Sequence, residues 1–245
     1  MQPLLYHTHH NQYLEDLPFW LGLAEQHGSP ILELGCGTGR IMLPLIEAGY
    51  QVTGLDISAA MLQQLKTLAA QDEIDPPDLV QGDLSNFSLE RNFSLILLPC
   101  NTYSTLSKSQ RQSALNCIRE HLTPGGVFAT SVPNPTWVTK LEAIEEVEVE
   151  TVFIHPETGN PVQASNEWHS QAGQLEICWH YDHLLPDGQV ERFSQATSHF
   201  LTPAEEYFEE LKNSGFKTTS YGDFNLARYA QDQPYLIIEA AITEI

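Results

Sequence analysis

A chain of 245 residues with 42% hydrophobic content is long enough for one or two domains with a full core. Eleven Lys and Arg stand against 32 Asp and Glu, a net charge of −21, which disfavours polyanionic partners such as nucleic acid or an anionic membrane. The four cysteines show no paired spacing, and neither a signal-peptide core nor an apolar run of membrane-spanning length is present, so the expectation is a reduced, cytoplasmic chain. In the first 29 residues, Asp16 is placed to cap a helix that carries Pro18 in its first turn and runs to about His27. Phe19, Trp20, Leu23 and Ala24 form its apolar face. His7, His9 and His10 precede it on what reads as a mobile terminus, where they are expected to be solvated, and no metal site is assigned.

Residues 31–40 read Ile-Leu-Glu-Leu-Gly-Cys-Gly-Thr-Gly-Arg. A short apolar run ending in a glycine-dense turn and followed by a helical stretch, 41–48, suits a buried parallel strand, a loop and a helix. Such a loop lets backbone approach a ligand, and the N–H groups at the helix start face it. The spacing is G-x-G-x-G with Arg40 at the sixth position, not the G-x-G-x-x-G of dinucleotide sites, which argues against NAD or FAD. Glu33, two residues before the first glycine, would repel a phosphate and attract an ammonium group. The ligand that follows is a nucleoside with a cationic amino-acid tail, a description S-adenosylmethionine fits.

The E-x-G-x-G-x-G stretch closely resembles motif I of class I S-adenosylmethionine-dependent methyltransferases. The resemblance implies an α/β fold: a doubly wound, seven-stranded, mostly parallel, Rossmann-like sheet. Cys36, Thr38 and Arg40 are assigned to the cofactor pocket along with Glu33, Gly35, Gly37 and Gly39. It also implies that a tyrosine ahead of the first helix, Tyr6 or Tyr13, folds over cofactor or substrate.

Gly49 stops the helix after the loop, and 51–55 reads as a second strand ending in Asp56, placed to accept both ribose hydroxyls. Ile57 is placed against the adenine, and Ser58 caps a helix with Met61, Leu62, Leu65, Leu68 and Ala69 on one face; Met61 is assigned to the pocket as well. A third strand, 79–81, ends in Gly82-Asp83-Leu84, where the resemblance implies an acid for the adenine amino group and a backbone N–H for a ring nitrogen. A fourth, 93–98, ends in Pro99, Cys100, Asn101, Thr102 and Tyr103, which should line the gap between cofactor and acceptor; Asn101 and Tyr103 are the candidates, with Tyr6, for holding the acceptor. A helix from Ser107 or Ser109 is broken by Thr123-Pro124-Gly125-Gly126 before a fifth strand, 127–132.

Beyond Asn134 the pattern changes. An acidic stretch, Glu142, Glu145, Glu146, Glu148 and Glu150, reads as a solvated face. Strand-like runs at 147–154, 162–170, 174–184 and 190–200, separated by turn signals, read as an antiparallel insert. Alternation puts Ile177, Trp179, Tyr181 and His183 on one face of it and Cys178, His180 and Asp182 on the other. Thr202-Pro203-Ala204-Glu205 reads as a capping box, and 216–221 and 235–242 as a closing hairpin. The expected organisation is a cofactor-binding domain, 1–133 and 201–245, with a lid or substrate insert, 134–200, that also offers a homodimer surface.

The function these readings support is methyl transfer from S-adenosylmethionine to a small-molecule acceptor. The alternatives are a non-catalytic protein binding S-adenosylmethionine or S-adenosylhomocysteine, and a nicotinamide oxidoreductase, which Arg40 counts against. Nucleic-acid methylation is disfavoured by charge and by Pro99-Cys100-Asn101-Thr102 standing where an Asn-Pro-Pro-Tyr type motif would be. No catalytic residue is assigned: in-line displacement needs alignment and water exclusion more than a base. His169, His180, His183 and His199 are candidate bases within the insert.

Overall fold

The computed structural model describes residues 2–140, 144–171 and 173–242. Two helices, α1 (Pro3–His10) and α2 (Leu17–His27), lead into β1 (Ile31–Leu34). There follow α3 (Met42–Glu47), β2 (Val52–Asp56), α4 (Ala59–Gln71), β3 (Asp78–Gln81), β4 (Phe93–Leu98), α5 (Lys108–His121) and β5 (Leu122–Pro133). A short α6 (Pro135–Val138) precedes β6 (Ile144–Ile154), β7 (Pro161–Gln171), β8 (Gln174–Leu184) and β9 (Val190–Phe200). The chain closes with α7 (Ala204–Asn213), β10 (Phe216–Tyr221) and β11 (Tyr235–Ile242).

Seven strands form one sheet in the order β10-β11-β5-β4-β1-β2-β3. β1 to β5 run parallel, and β11 and β10 add an antiparallel edge. The expected doubly wound architecture is therefore present. Its cause is visible in the strand residues. Leu32, Leu34, Ile96 and Leu98 pack into one buried cluster with α5 and α7, through Leu115, Ile118, Tyr207 and Leu211. Their strand neighbours Ile31, Leu95 and Leu97 pack into a second cluster with α2 and α4, through Trp20, Leu23, Leu62 and Leu65. With both faces covered, the central strands read as continuous apolar runs, and their C-terminal ends meet at one edge of the sheet.

β6 to β9 form a separate four-stranded antiparallel sheet. Tyr181, Val162, Ala164 and Phe153 cluster with Leu5 of α1, so the Trp179–Tyr181 face is the one turned toward the N-terminal helix. Glu142 lies outside the described residues. Glu148 and Glu150 are exposed, as expected, and Glu150 also accepts a hydrogen bond from Asn166 at 3.3 Å. Among the described residues no helix is long and apolar enough to cross a membrane.

Three local expectations are corrected. Asp16 precedes α2 but makes no side-chain cap, because its carboxylate is taken by Trp20 Nε1 at 2.9 Å and by Arg40. The Thr202 capping box does not form: α7 begins one residue later than that box requires, at Ala204, with Pro203 in the cap position. Thr123-Pro124-Gly125-Gly126 does not end an element but forms an irregularity within β5, whose pairing to β4 shifts between Phe93–Leu122 and Leu95–Val127. Ser58 and Ser107 do cap α4 and α5, Ser107 in a full capping box with Gln110.

Candidate functional site

The turn after β1 is held by β2. Gly35 N and Cys36 N both donate to Leu55 O, at 2.7 and 3.2 Å. Gly37 N donates to one oxygen of Asp56 and Ser58 N to the other, each at 2.8 Å. Asp56 thus organises the glycine loop as well as ending β2, and each oxygen keeps a lone pair for a further donor. Gly35 and Gly39 have φ of 68° and 88°. A Cβ on Gly35 would stand 3.2 Å from Thr102 Cγ2, whereas one on Gly39 would stand 2.9 Å from Leu65 Cγ. Gly35 therefore keeps the cleft open beside Thr102, and Gly39 lets the loop pack on α4.

A cavity of about 270 Å³ lies at the ends of β1, β2 and β3, lined among others by Gly35, Asp56, Ile57, Gly82, Asp83 and Leu84. Ile57 is 69% exposed, an apolar side chain left uncovered at this rim. Asp83 Oδ1 accepts from Ser85 N and Oγ at 2.8 and 2.7 Å, so half of that carboxylate is spent on its own turn. Met61 is buried and donates its backbone N–H to Ser58. Thr105, Leu106 and Gln110 line the cavity too, and the sequence reading missed them. They follow Thr102 through a 3₁₀ turn, Thr102–Thr105, whose existence no periodicity announced.

Glu33 is 2% exposed, and its Oε2 is buried with no hydrogen-bond partner among the described residues. Burial, offset in part by Arg40, pushes its carboxyl up to about 8. A buried carboxyl with an idle oxygen beneath a glycine loop is suited to a cationic donor, whose charge would favour the ionised form.

Arg40 is placed differently from its assignment to the pocket. It donates to Asp16 Oδ1 and Oδ2 at 2.6 and 2.7 Å, to Tyr13 O at 2.9 Å, and contacts Cys100 Sγ at 2.9 Å. It ties α2, the glycine loop and the tip of β4 together. Cys100 and Asn101 there both adopt φ of 61°, a conformation costly for residues with a Cβ, and Asn101 Oδ1 is buried without a partner among the described residues. Pro99 ends β4 ahead of this strained pair. Tyr103 is a correction: it is fully buried among Phe128 and Tyr207 in the core and cannot reach an acceptor.

The N-terminal histidines also depart from expectation. They are not solvated, because α1 is wedged between the glycine loop and the insert sheet. His7 Nδ1 lies 3.1 Å from Thr38 Oγ1, on the loop side. On the sheet side His9 is fully buried, with Nδ1 3.1 Å from Tyr181 Oη. Its Nε2 has no hydrogen-bond partner among the described residues, Glu150 Oε2 standing off at 3.7 Å. His10 lies tilted against the Tyr6 ring, centroids 4.2 Å apart, and edge-on to Trp179, and burial, then His9, pushes it down to about 3. Burial, then the neighbouring Cys100, raises the Tyr6 phenol, which keeps it protonated. Tyr13 is the more exposed of the two tyrosines, at 38%. The result is a packed aromatic cluster of Tyr6, His9, His10, Trp179 and Tyr181 that joins α1 to the insert sheet.

The candidate bases of the insert do not converge. His180 and His169 belong to the face turned away from Tyr181. His183 stacks on His155 and meets Thr158 Oγ1 at 2.9 Å near a hairpin tip. His199 alone reaches the core, with Nδ1 2.9 Å from Ser104 Oγ. Ser104 donates its one proton to Asn101 O at 2.7 Å, so His199 Nδ1 carries the hydrogen of that pair.

A family model described as a methyltransferase domain matches residues 31–126, the span of β1 through the start of β5. The chain is 27% identical over 221 residues to the putative methyltransferase YqeM of Bacillus subtilis, covering 87% of this chain and 82% of the relative. It is 29% identical to a dTDP-3-amino-3,4,6-trideoxy-alpha-D-glucopyranose N,N-dimethyltransferase of Streptomyces venezuelae, across 77% and 76% of the two chains. In fold it matches an S-adenosylmethionine-dependent methyltransferase from Clostridium acetobutylicum, with a TM-score of 0.82, 15% identity and coverage of 95% and 92%.

Proposed function

We propose that this chain, a class I S-adenosylmethionine-dependent methyltransferase, methylates a small amine-bearing molecule held under α1 and the insert sheet. The observation that carries this reading is the aromatic cover that α1 and the insert sheet build together. It is built of aromatic rings and buried imidazoles, His10 among them with its proton affinity lowered by burial, and it presents no open, basic groove. The amino-sugar N,N-dimethyltransferase relative supports an amine as acceptor.

The residues present fit the methyl donor. The idle Glu33 Oε2 suits its ammonium group, the spare lone pairs of Asp56 suit the ribose hydroxyls, and the uncovered Ile57 suits the adenine face. When bound, S-adenosylmethionine supplies a methyl group on a sulfonium, already activated for displacement. The remaining work belongs to the protein. Gly35, Gly37, Gly82 and Leu84 form backbone walls that let a ligand lie close. Asp83 keeps one carboxylate oxygen for an exocyclic amine. Thr38 and His7 hold α1 over the loop, and Arg40 fixes the tip of β4 against α2. Closing α1 over this edge excludes water, which leaves an amine lone pair unsolvated and reactive. Asn101 Oδ1, without a partner among the described residues, is an acceptor for one amine N–H and orients the nitrogen. An amine needs no early deprotonation, in keeping with the absence of a converged acid–base pair among the described residues.

The test is product identification. Incubation with methyl-labelled S-adenosylmethionine and a library of amino sugars and other small amines should place label on nitrogen of a small molecule. Label on oxygen, on protein or on nucleic acid would overturn the acceptor assignment. Cofactor binding without any turnover would instead support a non-catalytic binding protein.

A further inference from the structure

The face of the insert sheet turned away from α1 carries a second constellation, independent of methyl transfer. Cys178 and His180 are two residues apart on β8, so both project from that face. Glu167 on β7 pairs directly with Cys178 in the antiparallel ladder and projects beside it. One ligand atom from each of the three lies within 4.8 Å of the other two. We propose that Glu167, Cys178 and His180 bind a divalent transition-metal ion of the zinc class.

Four features support this. The donor set is a thiolate, an imidazole and a carboxylate, which suits borderline ions such as Zn²⁺ and Co²⁺ and not Mg²⁺ or Ca²⁺. His180 Nε2 and Glu167 Oε1 are 3.4 Å apart. Tetrahedral zinc with bonds to nitrogen and oxygen of about 2.0–2.1 Å sets its ligands about 3.3 Å apart, so that edge is already nearly formed. His180 Nδ1 is held by Ser194 Oγ at 2.7 Å from the neighbouring strand β9, which fixes the ring and leaves Nε2 facing Glu167. This is the outer-shell partner that metal-binding histidines ordinarily have. Finally, Ser165, which pairs with His180 across the ladder, is 1% exposed and its Oγ has no partner among the described residues. A metal-bound water in the fourth position would give that hydroxyl an acceptor.

The nearby cation does not compete strongly. Arg192 donates both its Nε and Nη2 to Asp182, at 2.6 Å each, on the same face. Cys178 is a free, partly exposed cysteine, so its sulfur is available. Binding is balanced by release of one proton from the Cys178 thiol to solvent, after which thiolate and carboxylate together neutralise the ion's two charges. Because the ligands come from β7 and β8, the ion would pin this pair of strands and stiffen the sheet behind Trp179 and Tyr181.

The experiment uses the full-length protein, stripped with a chelator, and cobalt(II) or zinc(II) alone. Titration with cobalt(II) should saturate at one equivalent, with a near-ultraviolet sulfur-to-metal charge-transfer band and tetrahedral visible bands. Zinc(II) should displace the cobalt and raise the melting temperature. C178S should abolish the charge-transfer band, H180A should weaken affinity at least a hundredfold, and S194A should weaken it about tenfold. Circular dichroism would establish that each variant is folded, and H7A/H10A should leave the titration unchanged. Absence of the charge-transfer band in the wild type, or an unaltered titration in folded C178S and H180A, would overturn the proposal.

Discussion

Glu33 offers the sharpest physical test, because its buried carboxyl links stability, pH and ligand affinity. Its ordinary value of 4.5 is pushed up to about 8, chiefly by burial. The unfolded chain therefore releases this proton at lower pH than the folded one. Between the two values the folded state holds one more proton, so stability falls as pH rises through that window and levels off above it. A shift of this size amounts to about 3 kcal/mol at pH 7 and about 5 kcal/mol above pH 9. Glu33→Gln keeps the shape and removes the titration. Urea unfolding of wild type and variant at pH 5.5 and pH 9, without ligand, isolates this group because the other titrations cancel in the difference. The variant's advantage should grow by about 3 kcal/mol between those pH values. A cationic ligand reverses the preference for the proton, so wild-type affinity for S-adenosylhomocysteine should rise about tenfold per pH unit between pH 6 and 7.5. The variant should bind weakly with no such slope. A stability difference that stays flat with pH, or a variant with wild-type affinity, would refute the role given to Glu33.

Other residues make separable predictions. Asp56→Ala removes the acceptor for Gly37 N and Ser58 N as well as any ribose contact, so cofactor affinity should fall by roughly 3 kcal/mol or more in calorimetry; unchanged affinity would mean the ribose lies elsewhere. Arg40→Met strands the mostly buried Asp16 carboxylate and should cost about 3 kcal/mol, or roughly 6–12 °C in melting temperature. A loss below 1 °C would show the clamp to be dispensable. Trp179→Ala removes the ring that packs on His9 and His10 on the side away from the glycine loop, so KM for the acceptor should rise while cofactor Kd stays within about twofold. Equal loss of both would make the insert a support for the cofactor pocket.

Much of the fold was legible because it rests on local signals. The buried strands announce themselves as apolar runs, and Glu33 with its glycines is contiguous in sequence. Asp56 is readable because a fixed crossover separates it from the loop. The site's other half is assembled from distant segments. The Arg40–Asp16 clamp joins residues 24 apart, and His9 meets Tyr181 across 172 positions, so no spacing rule connects them. Tyr103 and the N-terminal histidines show the same limit from the other side. A tyrosine at a strand tip and imidazoles on a terminal helix are ordinarily exposed. Here packing against α7 and against the insert overrides that preference. The Thr202 box fails for a smaller reason, a start of α7 one residue later than its composition implies.

The proposal that α1 and the insert sheet cover a small-molecule acceptor above the donor pocket is tested most directly by following labelled methyl groups. Wild-type protein and Trp179→Ala, each saturated with methyl-labelled S-adenosylmethionine, would be given the same mixture of small amines, peptides and RNA. The account predicts label only in small amines, with the variant several-fold slower at limiting acceptor and unchanged in cofactor binding. Label in peptide or RNA, or transfer to the small amine at the same rate by both proteins, would contradict it.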